Sequence, residues 1–234
     1  MKTIGIIGGM AWPSTINYYR TINEYYKEYT KAPGLESPTL VITQPNLALI
    51  DKLEEEGKWD DVGKLLVAEA TKLKAAGAEF FLMACNTVHI ADAYVTEHAP
   101  LPMLHIVDAA AKIASDRGFG TVGLLGSQYT MTGSYFVGRL KQKYNITAMV
   151  PDEKDQAIIQ GALQNELAKG VFRPETRQQF KEAIEDLVTK GCQAIILGCT
   201  EFGLLVKQED STVPIIDTGI VHAKAAVEFA VAGE

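Results

Sequence analysis

Apolar residues fall along this chain in short unbroken runs, separated by longer stretches of helical periodicity. The runs at 3–8, 38–44, 79–84, 103–106, 121–126, 146–149, 193–197 and 214–216 are rich in Val, Ile, Leu and Phe, with no polar alternation. Strands buried on both faces, as in a parallel sheet, have this pattern. Between the runs the spacing predicts helices near 14–31, 60–76, 88–98, 107–117, 130–143, 152–168, 174–190, 201–207 and 218–232. Pro174 stands at a helix start, where its missing N–H is harmless. Gly77 and Gly191 stand where helices end, each just before an apolar run. Strand–helix alternation of this kind predicts an α/β fold with helices on both faces of the sheet.

The pattern is written twice. TIGIIGG at 3–9 is echoed by TVGLLGS at 121–127, and GAEFFLMACNT at 77–87 by GCQAIILGCTE at 191–201. A third echo pairs LPMLHIVDAAAKIA at 101–114 with VPIIDTGIVHAKAA at 213–226. Three echoes in the same order and at nearly the same spacing indicate a duplicated α/β unit. The expectation is two similar parallel-sheet α/β domains related by pseudo-two-fold symmetry, with an active site in the cleft between them. The first would take residues 1–105 plus 217–234, the second 106–216. No linker rich in Pro, Gly or Ser separates them; RGFG at 117–120 comes nearest.

In open parallel sheets, ligands bind beyond the carboxyl ends of the strands. Cys85 follows FFLMA and Cys199 follows AIILG, so both are expected at that edge, at equivalent places in the two halves. A cysteine after a buried strand is ordinarily a small core residue. Two at echoed positions, followed by Asn86-Thr87 and Thr200-Glu201, read instead as opposed acid/base groups on either side of one substrate. Each stands where a helix is expected to begin, and free backbone N–H groups there favour thiolate and suit a substrate carboxylate. Cys192 has no such setting and reads as structural.

Glycine-containing turns follow the first strand of each half: Gly8-Gly9-Met10-Ala11 leading to Ser14-Thr15, and Gly126-Ser127-Gln128-Tyr129 leading to Thr130. The GxGxxG spacing of a dinucleotide site is absent. The turns read as loops lining one cleft, with Ser14, Thr15 and Thr130 offering hydroxyls. His89 lies four residues past Cys85, but a Cys–His metal pair needs further ligands and no second cluster is present. His105 and His222 fall in the third echo, open to a role behind the site or a purely structural one. Tyr18, Ile22, Tyr25 and Tyr29 form a helical stripe suited to a core or a dimer contact. The acidic run from Asp51 to Glu56 reads as a solvated face or loop.

Composition narrows the class. The 234 residues are 47% hydrophobic and 22% charged, with a net charge of −7 and three cysteines. The chain is long enough to bury a core without disulfides. An acidic chain without basic runs argues against nucleic-acid binding. No stretch approaches the roughly 20 apolar residues of a membrane helix, and the N-terminal run is too short for a signal peptide. An odd number of cysteines with no CxxC spacing fits thiols in a reducing cytoplasm.

These motifs resemble the aspartate/glutamate racemase superfamily. The matching pieces are IGIIGGMAWPSTINYY near the start, MACNTVH around Cys85, LLGSQYTM at 124–131, GCTE around Cys199 and PIIDT at 214–218. The second motif ends in Glu201, as in the aspartate racemase branch, rather than in His. The resemblance implies interconversion of L and D enantiomers of aspartate or glutamate, with no pyridoxal phosphate, no metal and usually a homodimer. It implies that Cys85 and Cys199 are catalytic. Asn86, Thr87, Thr130, Thr200 and Glu201 are expected around the substrate, with Met10 and Thr15 on the other wall. Asn46 lies where some members carry an Arg for the side-chain carboxylate; Gln44-Pro45-Asn46-Leu47 has none. Lys169, before Gly170, stands where a substrate-binding Lys is expected. The missing Arg leaves open a broad-specificity racemase of neutral amino acids. Hydantoin racemase, maleate isomerase, a decarboxylase, or a non-enzymatic carboxylate-binding module are also open.

Overall fold

A computed structural model describes residues 1–31 and 33–232; the final two positions of the expected 217–234 segment lie outside them. The chain divides into two compact units. One comprises Met1–Ile106 with the segment from His222 onward, the other Val107–Val221.

The first unit is built on four parallel strands: β1 (Ile4–Ile7), β2 (Leu40–Thr43), β3 (Phe80–Met83) and β4 (Met103–Leu104), in the order β2-β1-β3-β4. The second repeats the plan with β5 (Thr121–Gly126), β6 (Thr147–Met149), β7 (Ile195–Gly198) and β8 (Ile215–Asp217), in the order β6-β5-β7-β8. All eight apolar runs are strands, and the fold is α/β with two similar parallel sheets. The central strands β1 and β3 are buried along their whole length, as is β7.

Each unit has its own core. In the first, one cluster runs through Ile7, Leu66, Leu73, Phe81 and Val95. A second, on the other sheet face, joins Ile4, Ile6, Phe80 and Leu82 to Tyr18 and Ile22, and to Ala223, Ala226 and Val227 of the last helix. Of the tyrosine stripe, Tyr18 and Ile22 are buried in this core and Tyr25 packs at its edge, while Tyr29 is exposed. Tyr25 donates its hydroxyl to Glu228 at 2.8 Å; burial and that carboxylate push its phenol up to about 12. In the second unit a cluster joins Leu125, Ile195 and Leu197 to Phe180, Ile184, Leu187 and Phe202. Cys192 is buried there, and burial raises its thiol above the ordinary value.

Two departures from the expected elements bear on the site. The acidic run is the end of a helix, Leu47–Glu55, capped by the Asn46 side chain, which accepts Ala48 N–H at 3.1 Å. The helix expected at 130–143 is interrupted at Gly133, where the backbone is extended, and resumes as a π-helical turn, Ser134–Gly138. Among the described residues no helix is long and apolar enough to cross a membrane.

Candidate active site

The sheet registers place the two cysteines equivalently. In the first unit Ile7 pairs with Met83, and in the second Leu125 pairs with Leu197. Cys85 and Cys199 each lie two residues beyond the second member of the pair, and Gly8 and Gly126 lie directly beyond the first. Each cysteine therefore leaves the carboxyl edge of a central strand next to a glycine turn. Neither cysteine is joined in a disulfide, and both are partly exposed.

The glycine turns share a construction. In the first unit Thr15 sits over Gly8, where an added Cβ would lie 2.5 Å from Thr15 Cγ2. Its Oγ1 accepts Gly9 N–H at 2.8 Å. In the second, the wholly buried Thr130 sits over Gly126 and Gly198, where added Cβ atoms would lie 2.7 and 2.8 Å from its side chain. The Thr130 hydroxyl is 2.7 Å from the Tyr135 hydroxyl and 3.2 Å from that of Ser127. Both threonines thus frame the turns through hydrogen bonds of their own. Tyr135 has no echo in the first half, so repeat matching passes over it. Met10 in the first turn and Ser14 in the helix after it, Trp12–Thr30, are buried, and Ala11 between them holds φ 70°, a region costly for a side chain.

The surroundings of the two thiols differ. Beyond Cys85, Asn86 is buried and the half-buried Thr87 opens a 3-10 turn, Thr87–Ala91. Beyond Cys199, Glu201 turns back: Cys199 Sγ donates to Glu201 Oε2 at 2.8 Å, and Thr200 Oγ1 donates to the same oxygen at 3.2 Å. Glu201 and Thr200 are buried. A carboxylate accepting the S–H favours the protonated sulfur. The expected thiolate-favouring helix start is weak at both cysteines. The elements that follow them are five and four residues long, too short for much macrodipole.

The remaining expected positions are spread more widely. Asn46 lies past β2, at the same edge of the first sheet, with its side-chain oxygen engaged as the helix cap. Lys169 is exposed in a 3-10 turn, Leu167–Lys169, between two helices of the second unit. Asp217, which ends β8 in the second unit, is buried, and so are the three histidines of the first unit, His89, His105 and His222, minor candidates in the sequence. Among the described residues no group of three or more His, Cys, Asp or Glu could hold a metal ion.

Comparison with known proteins extends these observations along the whole chain. A broad-specificity amino-acid racemase of Bacillus subtilis (strain 168) is 25% identical over 229 residues, covering 96% of each chain. The structure of a Yersinia pestis protein assigned to the Asp/Glu racemases superposes with a TM-score of 0.91 at 38% identity, covering 99% of this chain and 100% of that one. That of an aspartate racemase homologue from Pyrococcus horikoshii OT3 superposes with a TM-score of 0.85 at 32% identity, covering 98% and 99%. The family model for Asp/Glu/Hydantoin racemases matches residues 7–226. The chain belongs to the Asp/Glu/Hydantoin racemase family.

Proposed function

We propose that the chain racemises α-amino acids without a cofactor, with Cys85 and Cys199 as the acid/base pair. The observation that carries this reading is the shared register: each thiol stands two residues past the strand position paired with the residue before a glycine turn. One thiolate removes the α-proton, forming S–H, and the C–H electron pair passes into the substrate carboxylate as an enolate-like charge. The other thiol then delivers its proton to the opposite face of the α-carbon, and its sulfur is left as thiolate. The reverse reaction exchanges the roles. An acid and a base must both be present, so a bell-shaped pH–rate profile follows. The Cys199–Glu201 contact supports Cys199 as the sulfur that carries the proton at rest. Backbone N–H groups and Thr hydroxyls near the strand ends are suited to the developing carboxylate charge.

Aspartate and glutamate are the first substrates to try. A broad specificity that includes neutral amino acids is favoured by two facts: the Arg-free segment at Gln44–Leu47, and likeness over 96% of the chain to a relative described as a broad-specificity racemase. A panel of L-amino acids in D₂O tests reaction and substrate together. Loss of the α-proton signal by NMR and appearance of the D form on a chiral column are expected for some members. Cys85→Ser and Cys199→Ser should each lower racemisation by about a thousandfold or more, as loss of an acid/base group does at the upper end. Full activity in either variant would remove that thiol from the reaction.

A further inference from the structure

Three of the four histidines, His89, His105 and His222, are buried together in the first unit, and the two-thiol reaction uses none of them. Their hydrogen bonds reveal where their protons are. His89 Nδ1 lies 2.9 Å from the Cys85 carbonyl oxygen, which can only accept, so Nδ1 carries a hydrogen. His89 Nε2 lies 3.4 Å from Ile106 N–H, which can only donate, so Nε2 presents a lone pair. The ring is therefore neutral and held in one tautomer.

The neighbours extend the arrangement. His222 Nε2 lies 2.9 Å from the Leu104 carbonyl and its Nδ1 3.0 Å from the Tyr18 hydroxyl. His105 Nε2 lies 3.2 Å from an Asp92 carboxylate oxygen. The rings of His105 and His222 are centred 4.6 and 6.2 Å from that of His89. Burial, and then repulsion from charge on His105 and His222, hold the His89 imidazolium pKa well below the ordinary value. His89 thus ties the Cys85 peptide, past β3, to the first N–H of the helix Ile106–Asp116, past β4. His222 ties the end of β4 to Tyr18, on the helix that follows the Gly8–Gly9 turn.

The second unit builds the equivalent space differently. Four residues past Cys199 stands Gly203 where His89 stands in the first half, and Asp217 takes the place of His105 in the third echo. An added Cβ at Gly203 would collide with the Asp217 carboxylate. One thiol therefore has imidazoles behind it, and the other has carboxylates.

We propose that His89 is the positioning residue of Cys85: a neutral Nδ1–H ring that fixes the Cys85 carbonyl and, through it, the direction of the thiol. His222 and the His105–Asp92 pair hold that ring in place. The catalytic consequence rests on the proposed role of Cys85, whereas the positioning itself is read without substrate.

The test is alkylation of the full-length chain by iodoacetamide from pH 6 to 9, followed peptide by peptide by mass spectrometry. Cys199, in the other unit, is the internal reference. His89→Ala should change the Cys85 rate about tenfold or more, the scale set by loosening a preorganised group, and leave Cys199 within about twofold. His89→Asn, whose amide N–H can donate to the same carbonyl, should restore the Cys85 rate. An unchanged Cys85 rate, equal changes at both cysteines, or an Asn variant no better than the Ala variant would overturn the proposal. If the variants do not fold, the wild-type chain labelled with ¹⁵N-histidine serves. A neutral Nδ1–H ring for His89 from pH 8 down to 6 supports the proposal; an Nε2–H or charged ring at pH 6 overturns it. Racemisation measured on the same samples separates the two readings. Alkylation as expected with undiminished racemisation in His89→Ala leaves the positioning intact and overturns the role of Cys85.

Discussion

Asp217 ends β8 and caps the helix that follows, its Oδ1 accepting Gly219 N–H at 2.9 Å and Ile220 N–H at 3.2 Å. Its Oδ2 is buried against Gly203 and, among the described residues, has no hydrogen-bond partner. Burial outweighs the cap bonds, and the carboxyl is pushed up to about 6. A carboxyl raised in the folded state contributes stability that is full below its unfolded pKa, near 3.8, and is lost as pH rises to about 6. At about 1.4 kcal/mol per pKa unit, the loss is about 2–3 kcal/mol. Asp217→Asn keeps a good capping oxygen and removes the charge. Relative to wild type, the variant should therefore gain about 2–3 kcal/mol between pH 4 and pH 7. Urea unfolding at the two pH values measures this directly, and a difference independent of pH would mean that Asp217 is not the group responsible.

The elements were legible in the sequence where a single run decides them. Strands such as FFLM and IILG are buried on both faces, so they needed no periodicity to be recognised. The helix Leu47–Glu55 was not legible, because only Ile50 on it is buried and its acidic end resembles a solvated loop. The cysteine positions followed from the duplication. The histidine network did not, because it joins strand ends far apart in the chain, Tyr18 and His222 being 204 residues apart. The threonine seats are half legible: the sequence offers the hydroxyls of Thr15 and Thr130, yet glycine beneath each also decides the local shape. Gly8→Ala and Gly126→Ala should each cost about 1–3 kcal/mol, because the new methyl must displace a threonine held by its own hydrogen bonds. Gly120→Ala is the control, since its nearest contact lies at 3.9 Å and its backbone suits any residue, so it should be neutral or slightly stabilising. Denaturation midpoints of the three variants test the difference; equal effects at all three would show that the seats contribute nothing.

At the scale of the whole molecule the duplication is unequal. The second unit is one uninterrupted stretch, 107–221, with its own sheet β5–β8 and its own core. The first is completed by chain from the far end. Ala223, Ala226, Val227 and Ala230 belong to its core, and Lys2 N–H donates to Ala230 O at 3.0 Å. A fragment of residues 107–221 lies within the usual domain size of about 100–150 residues and should fold alone, with a sigmoidal urea transition and helical far-UV circular dichroism. It retains Cys199, Thr200 and Glu201 in the local arrangement that holds the thiol proton. It lacks Cys85, and with it the second group that the proposed two-thiol reaction needs at the opposite face of the α-carbon. The folded fragment should therefore leave optical activity unchanged with every amino acid that the full chain racemises. A folded fragment that racemises would show that one thiol is enough, and the pairing of Cys85 with Cys199 would then describe ancestry rather than chemistry.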